Sequence, residues 1–262
     1  NEKGLSAGLF YFPDYGKYEE YSEANRETNI SDFQLVSYIL GRCATVDEVK
    51  AEIARVHIHG FDPRSSTVHW RFAEPSGRQI VLEIIDGKCV FYENTLGVLT
   101  NSPSFDWQLT NLNNYVNLLP GRTEPHTLGN MSLSSFGGGS AMLGLPGDFT
   151  PPSRFVRAAF FQNTAPQKPN AEGSVFTAFH ILGSMEIPIG AQFAVGEAPA
   201  DIPSATQCTC VSDMSGLRFY YRSMYDGGIR CIDLKEIDFK KIGLKSEPLI
   251  PSRKEFVHYI RF

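Results

Sequence analysis

The sequence lacks most of the features by which a function is usually recognised. Lys and Arg number 24 against 29 Asp and Glu, a formal net charge of -5, and no basic block is interleaved with aromatics. That excludes a nucleic-acid groove, which needs clustered positive charge to meet phosphates. No run of about 18 apolar residues occurs, so no membrane span is legible. The opening NEKGLSAGLF has neither the basic region nor the cleavage pattern of a secretory signal. The five cysteines, Cys43, Cys89, Cys208, Cys210 and Cys231, are odd in number and widely scattered. In a chain of this size they read as small buried hydrophobes rather than as staples. The partner that remains is a small molecule or another protein.

Familiar catalytic signatures are missing too. Gly137-Gly138-Gly139-Ser140 invites a phosphate-loop reading, but counting from Gly139 to Gly144 leads to Leu145-Pro146 where Lys-Ser/Thr is required. The segment reads as a structural loop. His57 and His59 would share a face of a strand, as would Cys208 and Cys210, yet neither pair has the spacing of a zinc site. No metal is expected. No G-x-S-x-G motif offers a serine to His69, which lies between Val68 and Trp70 and reads as a strand residue. Phe219-Tyr220-Tyr221 suits a half-buried strand, as core or as substrate wall.

What is present is a chain of 262 residues, 42% hydrophobic, enough for one large core, and we expect a single domain over 1–262. Ser31 with Gln34 three residues on opens a helix over about 32–40 that ends at Gly41. Thr45 and Glu48 repeat that spacing ahead of the apolar stripe Val46, Val49, Ile53 and Val56. Short apolar runs follow at 68–73, 79–85 and 89–92, with turns at Pro75-Ser76-Gly77 and Asp86-Gly87; this predicts an antiparallel meander. Helices are predicted over 105–116, from Pro151 capped by Thr150, and over 175–182 from Ser174. Strands return at 206–213, 217–225 and 229–234, with Gly227-Gly228 as a turn. Helices and strands are segregated rather than alternating, which favours an α+β fold with antiparallel sheets covered by helices.

Three segments carry polar residues that this pattern does not demand: GLFYFP at 8–13, GVLTNSP at 97–103 and PPSRFVR at 151–157. Taken singly, Asn101 suits a helix cap and Arg154 an acidic surface. Together, in the longer runs NEKGLSAGLFYFP, GVLTNSPSFDWQLTNLNNY and GLPGDFTPPSRFVRAAF, the chain resembles the choloylglycine hydrolases over essentially its whole length.

That resemblance implies an N-terminal-nucleophile hydrolase with a four-layer αββα sandwich, in which a cysteine at the mature N-terminus attacks an amide carbon. Its own α-amino group titrates near neutral pH and serves as the base, so no cofactor, metal or separate histidine is implied. Asn101 matches the asparagine whose side-chain amide donates to the oxyanion. Tyr11 matches the position whose backbone N–H completes the oxyanion hole, with its side chain against substrate. Arg154 matches the arginine that organises the nucleophile's surroundings. The nucleophile, and the arginine and aspartate after it, are expected in a segment before Asn1; none of the five cysteines stands in the matching context, so the chain alone is expected to be inactive.

For substrate, the resemblance points to the amide of glycine- or taurine-conjugated bile acids, with Phe10, Phe12, Ile58 and Phe61 among the apolar residues that would hold a sterol. Tyrosine at position 11 resembles the penicillin V acylases, which release phenoxyacetate, whereas FTPPSRFVRAAF and FFQNTAPQKP resemble proteins of Gram-negative gut bacteria that include bile acid hydrolases. A non-catalytic ligand-binding form is the remaining reading, should the intact protein lack the nucleophile. A homotetramer is implied by the resemblance alone.

Overall fold

In a computed structural model of the chain, residues 1–62, 66–194, 196–197 and 205–261 are described. The backbone divides into two compact units, one of residues 7–73 and 77–166, the other of residues 1–6, 74–76 and 167–262.

The first unit is organised by a four-stranded sheet. β1 (Ser6–Tyr11) precedes a short parallel pair, β2 (Asn29–Ser31) with β3 (His57–His59), that brackets α1 (Leu35–Leu40) and α2 (Val46–Ile53). β4 (Val68–Ala73), β5 (Gln79–Ile85) and β6 (Lys88–Glu93) then form the predicted antiparallel meander, and the sheet order is β1-β4-β5-β6. Trp70 faces Leu82 across β4 and β5, and Ile84 faces Cys89 across β5 and β6. β5 is buried at five consecutive positions, so it is covered on both faces and its sequence QIVLEII does not alternate. The turn to β6 works because Asp86 and Gly87 both take positive φ, 49° and 72°.

Helix starts in this unit follow local capping chemistry. The backbone N–H of Ser31 donates to Gln34 Oε1 at 3.4 Å, and residues 32–34 form a 3-10 turn before α1 begins. The Thr45 side chain accepts from Glu48 N–H, while the Glu48 carboxylate accepts from the N–H of Ala44 rather than that of the cap. α3 (Phe105–Asn111) ends earlier than predicted, giving way to a 3-10 turn over Leu112–Tyr115. The hairpin β7 (His126–Leu128) and β8 (Met131–Leu133) precedes α4 (Pro151–Thr164), whose first residue is the proline expected there.

The second unit holds α5 (Ala171–Gly183) and the antiparallel sheet β9 (Cys208–Asp213), β10 (Arg218–Ser223) and β11 (Asp226–Asp233), with β10 central. α5 starts well before Ser174, because Asn170 caps it by accepting from Gly173 N–H at 2.8 Å. Gly227 and Gly228 lie inside β11 rather than forming a turn. Arg222 clamps Glu186, with Nη2 to Oε1 at 2.7 Å, and lies over the ring of Phe179. The segregated order of helices and antiparallel sheets is that of an α+β fold.

One apolar cluster underlies the region taken up next. Val81, Val98, Phe105, Phe155 and Ala159 are buried together, and the rings of Phe105 and Phe155 meet edge to face at 6.1 Å. Phe155→Ala should lower unfolding free energy by about 3 to 5 kcal/mol, because a cavity replaces a fully buried ring. Urea unfolding measures this, and a loss under 1 kcal/mol (a bound taken from exposed sites) would show that Phe155 is not core.

Candidate active site

The segment 97–103 is held at every step by its neighbours. Gly97 takes φ +75°, the left-handed backbone region that favours glycine. The buried side chain of Asn94 spans the turn, accepting from Gly97 N–H at 2.8 Å and donating to Val98 O at 3.1 Å. Three successive residues then reach outward. Thr100 Oγ1 donates to Pro151 O at the start of α4, Asn101 Nδ2 to Tyr11 O at 2.7 Å, and Ser102 Oγ to Pro13 O at 2.6 Å. The segment is thereby fixed between the end of β1 and the first turn of α4.

Arg154 completes the array. Its Nη2 donates to Asn101 Oδ1 at 2.8 Å and its Nε to Phe149 O at 3.0 Å. Tyr11, Asn101 and Arg154, separated by 90 and 53 residues, form one hydrogen-bonded chain. The orientation of the amide follows: the oxygen must face the guanidinium, which only donates, so Nδ2 faces Tyr11. Nδ2 has two hydrogens and spends one on the Tyr11 carbonyl. The second has no acceptor among the described residues. Burial, and then the neighbouring charge of Arg157, pull the Arg154 guanidinium below its ordinary range; it stays protonated at any working pH.

The start of α4 is built differently from the expectation. Thr150 has the extended backbone of a cap, but its side chain caps nothing. Asp148 braces the turn from outside the helix, accepting from Thr150 N–H at 2.9 Å, from Thr150 Oγ1, and from Ser153 Oγ at 2.6 Å. The sequence signal was an aspartate two residues before the Thr-Pro step. Arg157 is buried beside it, donating from Nη1 to Pro146 O and Asp148 O and lying 5.6 Å from the Phe149 ring.

The residues expected to hold substrate divide. Tyr11 is 57% exposed and Phe61 70%, and the Phe61 ring meets Phe33 edge-on. Phe61 also lines a groove of about 470 Å³ with Ser31, Phe33, Gln34, Ser37 and Asp62. Phe12 and Ile58, at 0% and 3% exposure, are core instead. Phe12 stacks on the His69 ring at 4.3 Å, and Ile58 sits mid-strand in β3, so neither has a face left for a ligand. Phe10 is half-buried, its ring edge-on to His69.

Other candidates fall into structural places. His57 Nδ1 lies 2.9 Å from Glu19 Oε2 and His59 Nδ1 lies 3.0 Å from Gly60 O. Among the described residues, no three His, Cys, Asp or Glu side chains gather as metal ligands. Of the five cysteines expected to be buried, only Cys43 is; Cys208 is half-buried and Cys89, Cys210 and Cys231 are exposed. Partial desolvation still raises the thiols of Cys43 and Cys89 and, with the adjacent Cys208, pushes Cys210 up to about 11. A nucleophilic cysteine needs the opposite shift.

Comparison with known proteins agrees with the fold and with the motifs. The family profile described as linear amide C–N hydrolases, choloylglycine hydrolase family, matches residues 1–247. Bile salt hydrolase/transferases from Clostridium perfringens and Lactiplantibacillus plantarum are each 34% identical, over 90% and 99% of this chain and 71% and 78% of their own. A penicillin V acylase from Pectobacterium atrosepticum is 29% identical over 93% of this chain and 63% of its own. A solved cysteine-to-alanine variant of the conjugated bile acid hydrolase from Clostridium perfringens superposes with a TM-score of 0.83 at 30% identity, covering 100% of this chain and 78% of that one. The chain belongs to the choloylglycine hydrolase family, enzymes that cleave linear amide C–N bonds and share the N-terminal-nucleophile hydrolase fold.

The Asp148 carboxylate supplies a test. Hydrogen bonds from Ser153 and then Thr150 pull its carboxyl from 3.8 down to about 2. A depressed pKa adds stability that is fully present above pH 3.8 and drains away as pH falls through 2. Asp148→Ala should cost about 1 kcal/mol at neutral pH, the size of a typical hydrogen bond. The deficit should shrink as pH is lowered across that window in chemical denaturation. A deficit that stays constant to pH 2 would remove the carboxylate from the account.

Proposed function

We propose that Tyr11, Asn101 and Arg154 form the oxyanion side of an amidase site, and that the substrate amide joins a bile acid to glycine or taurine. The observation that carries the reading is the amide of Asn101, held by Arg154 so that one of its hydrogens is left over for substrate. When a thiolate adds to the amide carbon, the C–N electron pair passes to the departing amine with a proton, and water then hydrolyses the thioester. Negative charge builds on the former carbonyl oxygen in both steps. A donor fixed in advance stabilises that charge without reorganising. The Tyr11 backbone N–H supplies the second donor, and its exposed ring, with Phe61, offers apolar surface to a sterol. The nucleophile in this reading is none of the five cysteines.

Two observations bear on substrate. The bile salt hydrolases named above are more similar to the chain than the penicillin V acylase is, which supports the bile acid. Tyrosine at position 11 supports penicillin V as the second reading. Full-length protein should release glycine or taurine from conjugated bile acids faster than phenoxyacetate from penicillin V, and the reverse order reassigns the substrate. Asn101→Ala should lower kcat by about 100-fold to 1000-fold with native unfolding behaviour. Turnover near the wild-type rate would remove Asn101 from the oxyanion hole. The homotetramer belongs to the same proposal, supported by exposed Leu128, Met131 and Phe136 on and just after the β7–β8 hairpin. Light scattering should give four chain masses.

A further inference from the structure

Behind the site lies a buried polar pair that the proposed chemistry does not use. His69 on β4 and Glu83 on β5 have 0% side-chain exposure, one step along from the Trp70–Leu82 pair. His69 Nδ1 and Glu83 Oε1 are 3.0 Å apart. The other ring nitrogen, Nε2, lies 3.1 Å from Thr100 O. A carbonyl only accepts, so Nε2 carries a hydrogen and donates it. Glu83 Oε1 also accepts from the N–H of Phe105 at 2.9 Å. The two side chains therefore grip the chain on both sides of Asn101: the carbonyl immediately before it, and the first N–H of α3 just after it.

The same ring supports the other half of the site. His69 stacks on Phe12 at 4.3 Å with 9° between planes, and meets Phe10 edge-on at 6.0 Å. Those two residues flank Tyr11. Both donors of the oxyanion site are thus backed by one imidazole. Burying two ionisable groups is expensive, and apolar residues of similar volume generally pack as well or better. Apolar residues cannot hold Thr100 O and Phe105 N–H. With both ring nitrogens committed and no exposed surface, His69 cannot reach a substrate itself.

We propose that His69 and Glu83 are a positioning pair for the reaction, setting Asn101 and Tyr11 at the separation an oxyanion requires. The proposal rests on the oxyanion reading above. Among the described residues Glu83 Oε2 has no hydrogen-bond partner, so the contacts of this carboxylate are concentrated in Oε1.

The test measures kcat, KM and melting temperature of full-length protein on whichever of the two amides it cleaves. The double variant His69→Phe with Glu83→Leu keeps the ring on Phe12 and leaves no unpaired charge, so it should fold, with melting lowered by the two backbone hydrogen bonds it gives up. Its kcat should fall at least about tenfold, with KM within about twofold. Adding Asn101→Ala to that background should then cost no more than about tenfold, against about a hundredfold in the wild type, because the first change has already removed part of the same contribution. If the double variant fails to fold, Glu83→Asp carries the comparison: it withdraws the oxygen by about 1.5 Å and should show the same fall in kcat. Glu83→Gln keeps an oxygen in place and should recover a rate above that of Glu83→Asp. A kcat within about twofold of wild type in the double variant, or in Glu83→Asp, overturns the proposal. So does a full additional hundredfold loss on adding Asn101→Ala. An Asn101→Ala enzyme that alone keeps its rate overturns the oxyanion reading, which is a separate measurement.

Discussion

The hydrogen bond from Arg154 to Asn101 is the constraint on which the site depends. An asparagine amide has two orientations of nearly equal shape, and only one of them sets its oxygen toward the guanidinium and its N–H toward the Tyr11 carbonyl. Arg154, which can only donate, selects the orientation with Oδ1 at 2.8 Å. Everything behind it serves that selection. Asp148 fixes the first turn of α4, Phe149 O receives Nε, and Phe155 seats the next residue of the helix in the cluster with Phe105. The array is a chain of fixed dipoles, and a reaction that builds charge on one oxygen gains most from dipoles that do not have to turn.

Much of the fold was legible in the sequence because it is locally encoded. β4 and β5 begin and end where the apolar runs do, since Asp86-Gly87 and Ser76-Gly77 leave few alternatives for the chain. Pro151 marks the first residue of α4 for the same reason. The three-residue strands β2 and β3 were not legible. They pair in parallel across 28 residues, from Asn29 to His57, and so short a run carries no periodicity of its own. α5 begins at Ala171 rather than near Ser174 because Asn170, hidden in a polar stretch, supplies the cap.

The site was legible only as motifs. Composition gives no reason for Tyr11, Asn101 and Arg154 to meet; resemblance named them, and the backbone then brought them within hydrogen-bonding distance. Apolar residues beside the motif were harder to sort, because Phe12 and Ile58 look the same whether they face a ligand or the core. His69 and Glu83 read as ordinary strand residues, since their partners Thr100 and Phe105 lie 31 and 22 residues away.

Arg154 is bound by oxygens of neutral groups, Asn101 Oδ1 and Phe149 O, and forms no ion pair with a carboxylate among the described residues. Dissolved salt screens charge from charge far more than it disturbs a hydrogen bond at contact distance. The internal geometry of the array is therefore indifferent to ionic strength. Its outward field is not, because no carboxylate among the described residues pairs with the guanidinium. The site keeps its shape in any electrolyte, while its long-range attraction for an anion is set by the medium.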